Sequence, residues 1–165
     1  MPARARTYRA QILGVGSPVL CDDAAGIAVV ERLQAEGLPA GVTATVGGAG
    51  GLALLDLIED CDWLIVVDAA VTGSTPGTLH QFGARDLESG PTLHLAPTHG
   101  FDLPMVLQLL EVEGRNPPRA IRIIGIEAAD VQTLSETCTP AVQKATARVA
   151  AMIRSCLGEK SPQPL

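Results

Sequence analysis

The side chains in this sequence best suited to chemistry are a carboxylate pair, Asp22-Asp23, a third carboxylate, Asp68, and an imidazole, His99. Each stands at a segment boundary. The pair follows the apolar run 11–15, Asp68 closes the run 63–67, and His99 lies in the loop 95–100 just before a helical segment. In an open parallel sheet, ligands bind at the carboxyl ends of the strands, near a switch in strand order. A parallel sheet therefore brings these groups to one rim. Two carboxylates and an imidazole make an O,O,N set for a divalent cation, and that set suits zinc or nickel better than calcium, which wants six or more oxygens. Coordination positions would stay open for water or a substrate group.

Plainer roles compete. Asp22 reads as the N-cap of the helix that follows, and Asp23 as a first-turn carboxylate favoured by the helix dipole. A carboxylate at a buried strand end, as at Asp68, must find a partner. His80 and His94 read as surface or strand residues. Other chemistries fit less well. The loop from Gly14 to Pro18 lacks the third glycine of G-x-G-x-x-G, since Val19 stands there, and no G-x-x-x-x-G-K-S/T occurs. No G-x-S-x-G elbow is present. Cys21, or Ser17, with His99 as base would make a nucleophile, but the neighbouring carboxylates raise a Cys21 pKa.

The elements that must position these residues alternate. Residues 11–15 read as a buried strand, followed by a helix over about 24–35 that ends before Gly37. Residues 42–46 form a second strand, and a short helix over 50–58 is entered through a glycine-rich loop. The most apolar strand is 63–67, ended by Asp68, and a further strand covers 77–82. Asp102 is an N-cap candidate with Pro104 in the first turn of a helix that runs to about Glu113. Residues 121–126 are another buried strand. Thr139 caps the last helix with Pro140 at its first position, and Val142, Ala145, Val149, Met152, Ile153 and Cys156 recur at helical spacing. Strands alternating with helices imply βαβ units and a twisted, mostly parallel sheet in a three-layer αβα sandwich. Near-continuous apolar strands agree, because a half-buried strand would alternate.

The 165 residues are 47% apolar and 18% charged, which suits one globular domain over 1–165 with its core at about 11–157. A net charge of −6 and only four aromatic residues argue against nucleic acid or an anionic membrane as the main partner. No apolar stretch reaches membrane-spanning length, and no signal-peptide core stands at the start. The four cysteines form no C-x-x-C. The expectation is a reduced, cytoplasmic protein, monomeric when free.

Six stretches, in order, resemble the NiFe-hydrogenase maturation proteases. The segment from Gly14 to Gly26 resembles that family's opening pattern, G-x-G-N-x-L-x-x-D-D/E-x-x-G. The run from Val46 to Leu55 resembles its Gly-Gly-Thr loop and helix. Leu64 to Ala70, with Pro76-Gly77-Thr78, resembles its central strand and P-G-T segment. Thr98-His99-Gly100 resembles its S-H-G loop, Ile124 to Glu127 its G-I-E strand, and Leu134 to Val142 the run into its last helix. The likeness covers about Ile12 to Leu157. It implies a phosphorylase/hydrolase-like αβα domain and an endopeptidase. The reaction implied is removal of the C-terminal extension of a hydrogenase large-subunit precursor after nickel insertion. A nickel-binding maturation chaperone that does not cut is the alternative. The metal-contacting and catalytic positions carried over are Asp23, Asp68 and His99, the residues that converge on the rim. The metal implied is nickel carried by the precursor, with zinc or cadmium able to replace it in vitro. Ser17 stands where the family has Asn, Ala49 where it has Thr, and Val19 where it has Leu. The first two bear on which precursor is recognised.

Overall fold

Every residue of Ala10–Val15 and Trp63–Ala70 is buried, as strands covered on both faces must be. These segments, β1 and β3, lie in one five-stranded sheet with β2 (Val42–Gly48), β4 (Leu79–Gly83) and β5 (Ala120–Glu127), in the order β2-β1-β3-β5-β4. The first four in that order are mutually parallel, and β4 runs antiparallel at the edge. The computed structural model describes residues 9–48, 51–58, 60–83, 85–86 and 103–158.

Alternate residues of the strands feed two cores, as the period of two requires. On one face Ile12, Ile65, Val67, Ile124 and Ile126 meet α1 (Ala25–Glu36) and α4 (Pro140–Leu157) through Val29, Leu33, Val142, Val149 and Ile153. On the other, Leu13, Val15, Leu64, Val66 and Ile123 meet Leu54 of α2 (Ala53–Leu57) and Leu103, Val106 and Leu110 of α3 (Leu103–Val112). The three-layer αβα architecture expected from the sequence is the one observed. Among the described residues no helix is long and apolar enough to cross a membrane.

Three of the boundaries that differ from those read in the sequence bear on the site. β3 continues past Val67, because Asp68, Ala69 and Ala70 pair with Gly125, Ile126 and Glu127. Asp68 is thus inside the strand and does not end it. β2 continues to Gly48, with an irregularity where β1 passes from Gly14 to Val15. The first helix is entered through a 3-10 turn, Cys21–Ala24, so neither aspartate there is its N-cap. The last helix begins as expected, with Thr139 at the cap position and Pro140 next.

The strand order changes direction at β1. The chain steps from β1 outward to β2, then returns across β1 to place β3 on the opposite side. The carboxyl ends of β1 and β3 therefore flank the crevice that a switch in strand order opens, where α/β proteins bind ligands.

Candidate active site at the switch point

Asp23 follows β1, and backbone contacts too tight for any side chain hold it there. A Cβ on Gly16 would lie far inside van der Waals contact with the Asp23 carbonyl oxygen, and the Gly16 φ of 148° suits only glycine. The Ser17 amide then donates to Asp23 Oδ2 at 3.0 Å. The donor is backbone, so serine in place of asparagine at position 17 leaves this bond intact. Three residues after Asp23, Gly26 sits against the carbonyl oxygens of Val15 and Val67, where a Cβ would collide with both. That contact presses the start of α1 onto the ends of β1 and β3, the strands that Asp23 follows and that Asp68 lies in.

Asp68 is fully buried and its Oδ1 accepts the Ala69 amide at 2.8 Å. By strand alternation it lies on the face of Leu64 and Val66. Asp23 is equally buried. Two carboxylates shut away from water are costly to keep charged unless bonded or neutralised, and such groups gather where a cation or a reaction needs them. The third residue expected at this rim, His99, lies outside the described residues, as do His94, Ala49 and Asp102. Among the described residues no cluster of three or more His, Cys, Asp or Glu side chains stands ready to hold a metal. The described part of the site thus contributes two carboxylates.

Asp22 does a different job from the cap expected of it. Its Oδ2 accepts the amides of Ala129 at 2.8 Å and Asp130 at 3.1 Å and the Thr139 hydroxyl at 2.9 Å, and its Oδ1 accepts the Thr139 amide at 2.6 Å. The turn after β1 is thereby tied to the segment between β5 and α4. The Asp22 amide reinforces the tie by donating to the Asp130 carbonyl, and the Cys21 amide donates to that of Ser135. Cys21 has a φ of 50°, a left-handed conformation rare outside glycine, and these contacts fix it. The side chain of Thr139 is turned to Asp22 and does not cap its own helix.

Sequence reasoning passed over a second polar centre on the same rim. Glu127, at the end of β5, is almost fully buried. Its Oε1 accepts the amides of Thr72 at 2.8 Å and Gly73 at 2.9 Å; its Oε2 accepts the Thr72 hydroxyl at 2.8 Å and lies 2.8 Å from His80 Nε2. Burial alone pushes the Glu127 carboxyl up, but these bonds outweigh it and hold the group below the usual glutamate value. The result pins the loop after β3, two residues beyond Ala70. The signal was a glutamate closing an apolar strand whose neighbour carries a histidine, legible only once β4 and β5 are known to pair. His80 is the strand residue expected, with its imidazole on Glu127.

The cysteines fit no nucleophilic role. Burial, and then the Asp22 charge, push the Cys21 thiol up. Burial, followed by Asp22 and Cys21, pushes Cys138 up to about 11. All four cysteines are free thiols.

The comparisons with known proteins agree with this fold. The family model described as "Hydrogenase maturation protease" matches residues 27–156. The chain is 32% identical over 143 residues to the hydrogenase expression/formation protein HupD of Rhodobacter capsulatus, covering 86% of this chain and 67% of that protein. It is 29% identical over 160 residues to the hydrogenase 2 maturation protease of Escherichia coli, covering 94% and 96%. The solved structure of the hydrogenase maturating endopeptidase HybD from E. coli superposes with a TM-score of 0.67 at 28% identity, covering 89% of this chain and 93% of that one.

Proposed function

The chain belongs to the hydrogenase maturation protease family, and from that premise we propose that it removes the C-terminal extension of a NiFe-hydrogenase large-subunit precursor once nickel is in place. The observation that carries this reading is the full burial of two carboxylates, Asp23 just after β1 and Asp68 toward the carboxyl end of β3, the strands that flank the switch in strand order.

Asp23, Asp68 and His99 engage the nickel that the precursor brings. Carboxylate oxygens with an imidazole suit such an ion, and burial of both carboxylates gives them a reason to attract one. Nickel bound there would supply Lewis-acid polarisation to the neighbouring peptide. The chain's own contribution is positioning. The Ser17 amide orients Asp23, the Ala69 amide orients Asp68, and Gly26 holds the two loops together. A precursor without nickel forgoes the binding energy of these ligands, so metal insertion is checked before cleavage.

The test mixes the purified protein with the large-subunit precursor, nickel-loaded or nickel-free, and records intact masses. Loss of a C-terminal peptide from the loaded form alone is the expected result. Equal cleavage of both forms would remove nickel from the mechanism. Binding to the loaded form with no change in mass would replace the endopeptidase by a nickel-sensing chaperone.

A further inference from the structure

A groove of about 890 Å³ runs along the outer side of α1 to the start of α4, within the size range of ligand-binding clefts. It opens at Pro18 and Val19, immediately after the Ser17 amide that holds Asp23, and Ala24, the residue after Asp23, forms part of its inner wall. Ile27, Ala28 and Cys138 give it an apolar floor. Glu31 and Glu136 stand exposed on opposite walls, and among the described residues neither joins an ion pair. Glu36 is held by Arg154 at 2.8 Å, and Arg32 is the cation among the residues lining the groove. The mouth carries an exposed apolar lip. The Ser135 amide donates to the Val19 carbonyl, which sets Leu134, 79% exposed, next to Val19, 44% exposed. Apolar side chains exposed together at the mouth of a cleft mark a place where another molecule docks.

We infer that this groove takes a segment of the precursor polypeptide lying to one side of the bond that is cut, a segment combining apolar side chains with at least one Lys or Arg. The inference rests on the endopeptidase reading and adds to it the chemistry of the substrate and where that part of it lies. Three features select this occupant. The floor and lip want apolar side chains, and the unpaired Glu31 and Glu136 want a cation between them. The groove also begins at the loop that carries Asp23, with Pro18, Val19 and Ala24 in its lining, which puts its occupant next to that loop.

The test uses E31K, E136K and the double variant, both positions lying far from the buried core and outside the carboxylate pair. Binding of a fluorescein-labelled synthetic peptide spanning the cleavage region of the precursor is followed by anisotropy, and cleavage of the intact precursor by mass. The double variant should bind the peptide about tenfold more weakly and show a KM raised by a similar factor, with kcat and thermal stability unchanged. Wild-type affinity should fall as salt is raised, and that of the double variant should respond less. Equal affinity and KM for wild type and double variant would overturn the groove assignment while leaving the endopeptidase intact. Groove-dependent binding of the peptide by wild type with no cleavage of the nickel-loaded precursor would overturn the endopeptidase and keep the groove. Failure of wild type to bind the peptide, with the nickel-loaded precursor still cleaved, would overturn the groove alone.

Discussion

Replacing Asp22 by Asn separates the work of two adjacent aspartates. In the wild type the Asp22 carboxylate accepts four hydrogen bonds, from the amides of Ala129, Asp130 and Thr139 and from the Thr139 hydroxyl. Hydrogen bonds to a charged group are worth about 1.5–3 kcal/mol each, roughly twice their neutral counterparts. An asparagine oxygen turned to the Oδ2 side keeps three of them in weakened form, a loss of about 0.5–1 kcal/mol apiece. Its NH2 then faces the Thr139 N–H, donor against donor, and that amide goes unsatisfied at a cost of about 1–3 kcal/mol. The total, about 2.5–6 kcal/mol, is a large part of the ~5–15 kcal/mol that holds a domain together. At about 2–4 °C per kcal/mol for a chain of this size, Tm should fall by about 5–24 °C. Circular dichroism melts of wild type, D22N and D23N provide the assay, with D23N expected to lose less. Adding T139V to D22N should cost less than T139V alone, because the two share one network. A D22N melt coincident with wild type, or no lower than that of D23N, would refute the assignment of Asp22 as the clamp.

Other outcomes follow from the same contacts. D68N should abolish precursor processing while the melt stays cooperative, checked by intact mass and circular dichroism on one sample; normal processing by D68N sinks the site assignment. Because the folded Glu127 carboxyl lies below its unfolded value near 4.5, its bonds contribute stability fully present above that pH and lost as pH falls through the lower folded value. E127Q should therefore melt below wild type at neutral pH, and its Tm should fall less steeply on acidification below pH 4.5; parallel Tm profiles would contradict this. In iodoacetamide at about pH 8, half-buried Cys156 should be alkylated first. Cys21 and Cys138, buried and with raised thiol pKa values, should react only on unfolding. Peptide mapping of the adducts decides it.

Much of this was legible in the residues because the cues were local. Runs such as 63–67 announce buried strands, and Pro140 after Thr139 announces a helix start. The alternation of such segments dictates the sheet and hence the carboxyl-end rim toward which Asp23 and Asp68 are placed. What escaped depended on residues far apart in the chain. Asp22 looked like a helix cap because an aspartate before a helix usually is one, and its real partners lie more than a hundred positions away. Glu127 and His80 looked unrelated until the antiparallel edge strand set them side by side. The three extra residues of β3 were invisible because Asp68, Ala69 and Ala70 carry little strand preference of their own, and pairing with β5 decides their state.

The tie between Asp22 and residues 129–139 also bears on the order of events during synthesis. A nascent chain that has emerged only as far as Ala128 contains Asp23, Asp68 and all five strands in full, yet Asp22 has none of the four N–H and O–H donors that residues 129–139 supply. The turn that presents Asp23 is therefore completed only when the last stretch before α4 leaves the ribosome. A prematurely terminated product would carry Asp23 and Asp68 without the contacts that hold the turn. The conformation of this early turn thus waits on a segment synthesised more than a hundred residues later.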